Sequence, residues 1–230
     1  MTLYETIFTR RAVRKYEPVP LDDKTLAEIQ DFLNQAEQMQ GQKATFEIVS
    51  ADAVKGAQAP HYILAYCDAN DAAYANVGYV LSKCDLYIQS IGLGSVFLGM
   101  AKPVQKRDDY CIMLAFGKSG APFRSGEKDF DRLPLAEICG TDNSITRAAR
   151  LAPSAINSQP WKIDLNDGII RVSYHGRGLT KMVLKKVMNK VDVGIVSRHI
   201  AVTLQNEGKE IISATPQISG KDFFVEIICV

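Results

Sequence analysis

Three arginines and one loop carry the side chains of this 230-residue chain whose types and spacing suit chemistry. Arg10, Arg11 and Arg14 fall within "TRRAVRKY". On a short helix Arg10 and Arg14 share one face and Arg11 lies three residues from Arg14, so two or three guanidinium groups converge. The planar fork of arginine donates two parallel hydrogen bonds, which suits phosphate. A solvated basic face is the plainer reading of the same spacing. Residues 152–161, "APSAINSQPW", crowd two prolines, two serines, an asparagine, a glutamine and the only tryptophan into ten positions. Each proline removes a backbone donor and disfavours helix in the residue before it, while Ser and Asn compete for backbone hydrogen bonds. The stretch reads as a shaped loop of the kind that binds ligands.

Hydrophobic period supplies the elements that position these residues. "LDDKTLAEIQDFLNQAEQ" spaces Leu26, Ile29 and Leu33 on one helical face, with Asp22 or Asp23 placed to cap it. "TFEIVS" and "HYILAYCD" read as strands, and "DAAYANVGYVLSKCDLYIQSIGLG" as a long helix ended by Gly92. "SVFLGM" and "DDYCIMLAFG" are further strands, the second buried on both faces. The order then repeats: a capped helix in "DNSITRAARLA", a hairpin turning at Asn166, Asp167 and Gly168, a long helix in "MNKVDVGIVSRHIAVTLQNEG", and strands in "KEIISA" and "DFFVEIICV". A slide of 116 residues lays Val77-Gly78 on Val193-Gly194 and Gly92 on Gly208. These matches predict a duplicated α+β fold, with repeats over 1–120 and 142–230 and a Gly- and Pro-rich connector over 121–141, the halves packed as a pseudo-twofold pair around a cleft. The arginine motif has no counterpart in the second half. The loop motif has none in the first, where "NQAEQMQGQKATF" takes its place.

Composition excludes several classes. With 27 basic and 26 acidic residues there is no basic field for nucleic acid or an anionic membrane, so any bound anion is small and held locally. The five cysteines lack CxxC spacing and read as buried, reduced thiols, and the three histidines lack metal-ligand spacing. The N-terminus lacks the pattern of a signal peptide, and no apolar run suits a membrane span, so cytoplasm is the default expectation. "GLGSVFLG" is no dinucleotide fingerprint, because a helix precedes its glycines and a strand follows them. No Walker sequence, nucleophile elbow or zinc signature occurs.

"RRAVRKYEPVPLD" resembles the N-terminal R-R-S-x-R signature of the FMN-dependent nitroreductase superfamily, and "APSAINSQPW" resembles its A-P-S-x-x-N-x-Q-P-W loop. "IGLGSVFLG" and "RLPLAEI" agree with later landmarks of that family. Ordinary members are homodimers whose two FMN sites each draw the arginine motif from one subunit and the loop from the other. The order here is similar to the branch in which one chain mimics the dimer, which implies a monomer with one FMN.

The resemblance implies a nitroreductase-like α+β fold and a role for each matching residue. Arg10 would meet the FMN phosphate and Arg11 the ribityl-phosphate region. Arg14, the one residue given a catalytic role, would approach the flavin N1 and O2 edge. Pro153, Ser154, Ala155 and Asn157 would line the flavin, Gln159 would shape the loop, and Trp161 would start a strand in the core. Leu98 and Gly99 would face flavin N5, and Arg132 would be the late phosphate-binding arginine. Ala12 replaces the signature serine and Asp131 stands beside Arg132, with Lys128 the nearest substitute for the usual lysine. The activity implied is electron transfer from NADH or NADPH through bound FMN to a nitroaromatic, quinone or similar small acceptor, with no metal. Reductive dehalogenation, flavin fragmentation and a flavin-binding scaffold with vestigial redox activity are the alternatives.

Overall fold

The computed structural model describes residues 1–176 and 187–230. Helix α1 (Leu3–Ile7) starts at a capping box in which Thr2 and Glu5 satisfy each other's backbone N–H. Helix α2 (Asp23–Asn34) is capped by Asp22, whose carboxylate accepts from Thr25 N, and buries Ile29 and Leu33. Then come β1 (Ala44–Ser50), the short β2 (Val54–Lys55), β3 (His61–Cys67), α3 (Asp71–Ser90), β4 (Gly94–Leu98), the short β5 (Lys102–Pro103) and β6 (Tyr110–Gly117). In the second half, α4 (Ser144–Arg150) starts at Asn143. The strands β7 (Trp161–Asn166) and β8 (Ile169–Tyr174) form a hairpin, α5 spans Met188–Asn206, and β9 (Ile211–Ser219) and β10 (Asp222–Cys229) complete the chain.

Two four-stranded antiparallel sheets result, ordered β1-β3-β6-β4 and β7-β8-β10-β9. Counted within its own half, each reads 1-2-4-3, and the long helix follows the second strand in both. Gly92 (φ +87°) and Gly208 (φ +77°) end the two helices in the left-handed conformation that glycine adopts without a Cβ clash. The repeated order expected from sequence is therefore present in the fold.

The halves meet where α3 packs on α5. Both helices are buried on nearly all sides, which accounts for their weak amphipathic pattern. A Cβ on Gly78 would come within 2.0 Å of Val191 O, and one on Gly194 within 1.8 Å of Ala75 O. Ser82 Oγ donates to Ile195 O at 3.4 Å, while Arg198 Nε donates to Tyr79 O at 3.1 Å. The pairs 75/191, 78/194, 79/195 and 82/198 share the offset of 116, so each contact is the mirror of another, as across a twofold interface.

The arginine motif is not on a short helix, the geometry that would bring its guanidinium groups together on one face. Helix α1 stops before it, and Ala12 forms a parallel bridge with Ser95 while Val13 N donates to Ser95 O at 3.0 Å. The free edge of β4 offers this segment backbone partners that a short helix would have left unused.

Candidate functional site

Arg10 enters the interior beside α3. Its side chain is 2 % exposed, and Nε donates to the Asp85 carboxylate at 2.9 Å. The same carboxylate accepts from Gln89 and from Ser95 Oγ, while Gln89 Oε1 accepts from Arg11 N, so α3 and β4 lock the N-terminal segment in place. Arg11 donates to Pro122 O at 2.8 Å, and Arg124 returns a bond to Arg10 O. The start of the connector is thereby laced to the arginine motif.

Downstream, Arg132 joins the connector to the loop. Its Nη1 donates to Asn157 Oδ1 at 2.7 Å and its Nη2 to Leu151 O at 3.1 Å, while Asn157 Nδ2 donates to Asp131 O. Gln159 Oε1 accepts from Leu133 N, and Arg150 donates to Leu133 O and Arg132 O. The hydrogen bonds of Arg124, Arg132 and Arg150 go to carbonyl and amide oxygens. Burial, and then repulsion from Arg10 and Arg124, pushes the Arg132 guanidinium down to about 10. Burial followed by repulsion from Arg10 and Arg11 lowers Arg124 as well. Arg132 Nε is a buried donor without a partner among the described residues. A cation cluster with surplus positive charge and an orphaned donor is the chemistry of an anion site.

The loop itself is strained. Ile156 (φ +49°), Asn157 (φ +58°) and Gln159 (φ +45°) occupy the left-handed region, which costs about 1–3 kcal/mol for each such non-glycine residue. Helix α5 helps to hold it: both oxygens of Asp192 accept from Ala155 N, at 3.0 and 3.2 Å. Asp192 is 3 % exposed, and burial raises its pKa well above the usual carboxylate range. Ser154 Oγ accepts from Gln159 N. Trp161, fully buried, starts β7 as expected.

Arg132, Asn157 and Gln159 thus fall into one connected network, with Arg10 near enough for its charge to act on Arg132 and with Pro153, Ser154 and Ala155 half-buried on the loop. Arg14 is exposed and makes no hydrogen bond among the described residues. Leu98 ends β4, and Gly99 lies under Met188, whose sulfur would be 2.7 Å from a Cβ there. Met188 and Asp192 stand four apart on α5, so one helical face spans from the Gly99 corner to the loop.

Sequence reasoning passed over Arg124, Arg150, Asp85, Asp192 and His199. Asp85 and Gln89 were visible as polar residues four apart in an apolar helix. Asp192 was visible through the repeat, because it matches Asn76, whose Oδ1 accepts from Met39 N at 2.8 Å just as Asp192 accepts from Ala155 N. His199 is fully buried, with Nδ1 3.3 Å from Ala148 O and Nε2 unpartnered among the described residues. Burial, then the charges of Arg10 and Arg132, pushes its pKa down to about 3.

The pseudo-equivalent position in the other half holds a second cleft of about 420 Å³, lined by Glu37, Gln40, Tyr79 and Arg198. There Arg198 donates to Glu37 O at 2.7 Å, and Lys83 and Arg198 both pair with the Glu37 carboxylate. No helix of the described residues is long and apolar enough to cross a membrane.

A search of curated proteins found no match. A crystal structure from Thermotoga maritima, described as a "putative nitroreductase", is similar to this chain at 20 % identity and a TM-score of 0.74, covering 99 % of this chain and 94 % of its own. A nitroreductase family protein from Clostridium difficile 630 gives a TM-score of 0.47 at 18 % identity, over 60 % of this chain and 96 % of its own. The family model described as "Putative TM nitroreductase" matches residues 2–204, and the chain belongs to that family.

Proposed function

We propose that this chain is an FMN-dependent oxidoreductase that takes reducing equivalents from NADH or NADPH and passes them to a nitroaromatic, quinone or similar small acceptor. The observation that carries this reading is the arginine cluster wired to the strained loop. Its surplus charge and the orphaned Arg132 Nε fit the phosphate of a flavin mononucleotide. Arg124 and Arg132 would hold that phosphate, with Arg10 beside them and partly neutralised by Asp85. The loop from Pro153 to Gln159 would hold the ring, and the Leu98–Gly99 corner would lie along its edge. Bound FMN supplies hydride acceptance and onward electron transfer in two half-reactions. Arg14, exposed and unencumbered, would place a cation where reduced flavin gathers negative charge.

The division into repeats 1–120 and 142–230 with a 121–141 connector belongs to the same proposal, as does a monomer acting as its own dimer with one FMN. The Lys83–Glu37–Arg198 cluster in the second cleft supports a single site. Cytoplasmic location is part of the reading, and nucleic acid and membranes are not partners in it. A flavin-binding protein with vestigial redox activity is the competing reading, favoured by Ala12 at the signature serine and by the Arg10–Asp85 pair.

The test is an absorbance spectrum after incubation with FMN and desalting, followed by anaerobic NADH or NADPH. About one FMN per chain, bleached by either nucleotide, supports the oxidoreductase. Bound FMN that neither nucleotide reduces favours the scaffold, and a colourless protein removes the flavin reading. In stopped-flow, Arg14→Ala should slow flavin reduction more than it weakens FMN binding; an unchanged reduction rate removes Arg14 from the catalytic role.

A further inference from the structure

The five cysteines are all buried and unpaired, but two of them are neighbours. Cys67 is the last residue of β3 and Cys111 the second of β6, adjacent antiparallel strands. Their register runs Ala65 to Ile112 and then Tyr66 to Tyr110, so Cys111 is the extra residue of a β-bulge. A bulge re-aims the side chain it inserts. Tyr66 and Tyr110 pack on one face of the sheet, while Cys67 and Cys111 both join the core on the face toward α3. Cys67 N donates to Asp109 O at 2.9 Å, which fixes the strands beside each other at this point. Paired strands run about 4.8 Å apart, and a disulfide spans Cα atoms about 4.4–6.8 Å apart. Cys67 is 7 % and Cys111 8 % exposed, next to exposed Asp68 and Asp109, whereas Cys84 is fully buried on α3.

We propose that Cys67 and Cys111 are a peroxide-sensitive dithiol that closes to an intramolecular disulfide. The two thiols are unequal. A side-chain hydrogen bond from Cys111 holds the Cys67 thiol below its ordinary value, against the opposing effects of burial, Asp68 and Asp109. The same hydrogen bond, and then burial, raises Cys111. Cys67 attacks first in this scheme, and the same disulfide forms with the roles of the two sulfurs exchanged. The Cys67 thiolate attacks one oxygen of a hydroperoxide, the O–O bond breaks, and an alcohol or water leaves with the proton that Cys67 gave up. The resulting sulfenic acid is attacked by Cys111, the S–O bond breaks, and the hydroxide leaves with the Cys111 proton as water. The peroxide gains two electrons and the pair of thiols loses two hydrogens. The bond would tie the end of β3 to the start of β6 beneath half-buried Tyr74, at the foot of α3.

The experiment treats the full-length protein with hydrogen peroxide, denatures it under alkylating conditions and maps its peptides. The expected result is a fall from five titratable thiols to three, a loss of two hydrogens in mass, and one Cys67–Cys111 cross-link reversed by dithiothreitol. Cys67→Ser and Cys111→Ser should each abolish the cross-link, and Cys84→Ser should leave it intact. Five thiols remaining, a different pairing, or sulfinic acid on Cys67 without a cross-link would overturn the proposal. Peptide mapping of the unmodified sequence decides the matter even if a serine variant fails to fold.

Discussion

Arg132 is the residue on which the proposed FMN site turns, because it reaches the loop through Asn157 and the end of α4 through Leu151 O while one of its nitrogens stays unsatisfied. Arg132→Ala should weaken FMN binding by about tenfold to a hundredfold, the value of a charge-assisted hydrogen bond. Fluorescence quenching of the free flavin measures it, and an unchanged dissociation constant removes Arg132 from the site. His199 makes a second prediction at this scale. Its native pKa lies near 3 and the unfolded value near 6.5, so below pH 6.5 the unfolded chain binds a proton that the native chain refuses. Stability is therefore lost as pH falls from 6.5 toward 3, with a slope of up to about 1.4 kcal/mol per pH unit from this group. His199→Asn keeps a donor for Ala148 O and should flatten that slope in urea titrations between pH 7 and 5. A slope identical to that of the unaltered protein would show that other groups set it. The resemblance pointed to Arg132 through "RLPLAEI", but the sequence hid His199, since nothing local marks a histidine as buried beside two distant arginines.

At the scale of elements, pattern was enough wherever the deciding interactions were local. The acids at 22 and 23 and the polar start of "DNSITRAARLA" announced their helices, Gly168 its hairpin, and Gly92 and Gly208 the ends of α3 and α5. The conformation of the arginine segment was not legible, because its partner, the edge of β4, lies more than 80 residues away in sequence. The loop's composition marked it as irregular, yet the carboxylate that anchors it at Ala155 belongs to α5, which begins about 30 residues later. That dependence yields a prediction. Asp192 caps Ala155 N with a buried carboxyl, whereas Asn76 caps Met39 N with an uncharged amide. Because its folded pKa is raised, Asp192 contributes full stability only below its unfolded value, and this is lost as pH rises toward the folded value. Asp192→Asn should retain the cap and raise the guanidinium midpoint, more at pH 8 than at pH 5, by about 1 kcal/mol or more at the higher pH. A lowered midpoint at pH 8 would mean that the loop needs the acid itself.

For the whole molecule, α3 and α5 cross in close contact at Gly78 and Gly194. No side chain fits between backbones this near, so Gly78→Ala and Gly194→Ala should each cost about 2–3 kcal/mol through forced separation of the helices. The mirrored contacts predict similar losses at the two positions, readable as thermal midpoints. A neutral effect at either would show that the halves slide freely. The repeat offset was legible from these glycines, and with it the repeated order of elements along the chain, whereas the order of strands within each sheet was not. The second cleft was not, because Glu37, Lys83 and Arg198 meet only after the halves have docked.

That second cleft has a consequence for heredity. In an assembly of two identical chains every codon is expressed on both sides, so a substitution that fills one cleft fills its twin. Here Ser82 and Arg198 occupy matching places but are written at separate positions, and a large cation enters one side while a small hydroxyl remains on the other. Each cleft can drift under its own selection, and a saturation library of this chain should show two unequal patterns of tolerance where a symmetric pair could show only one.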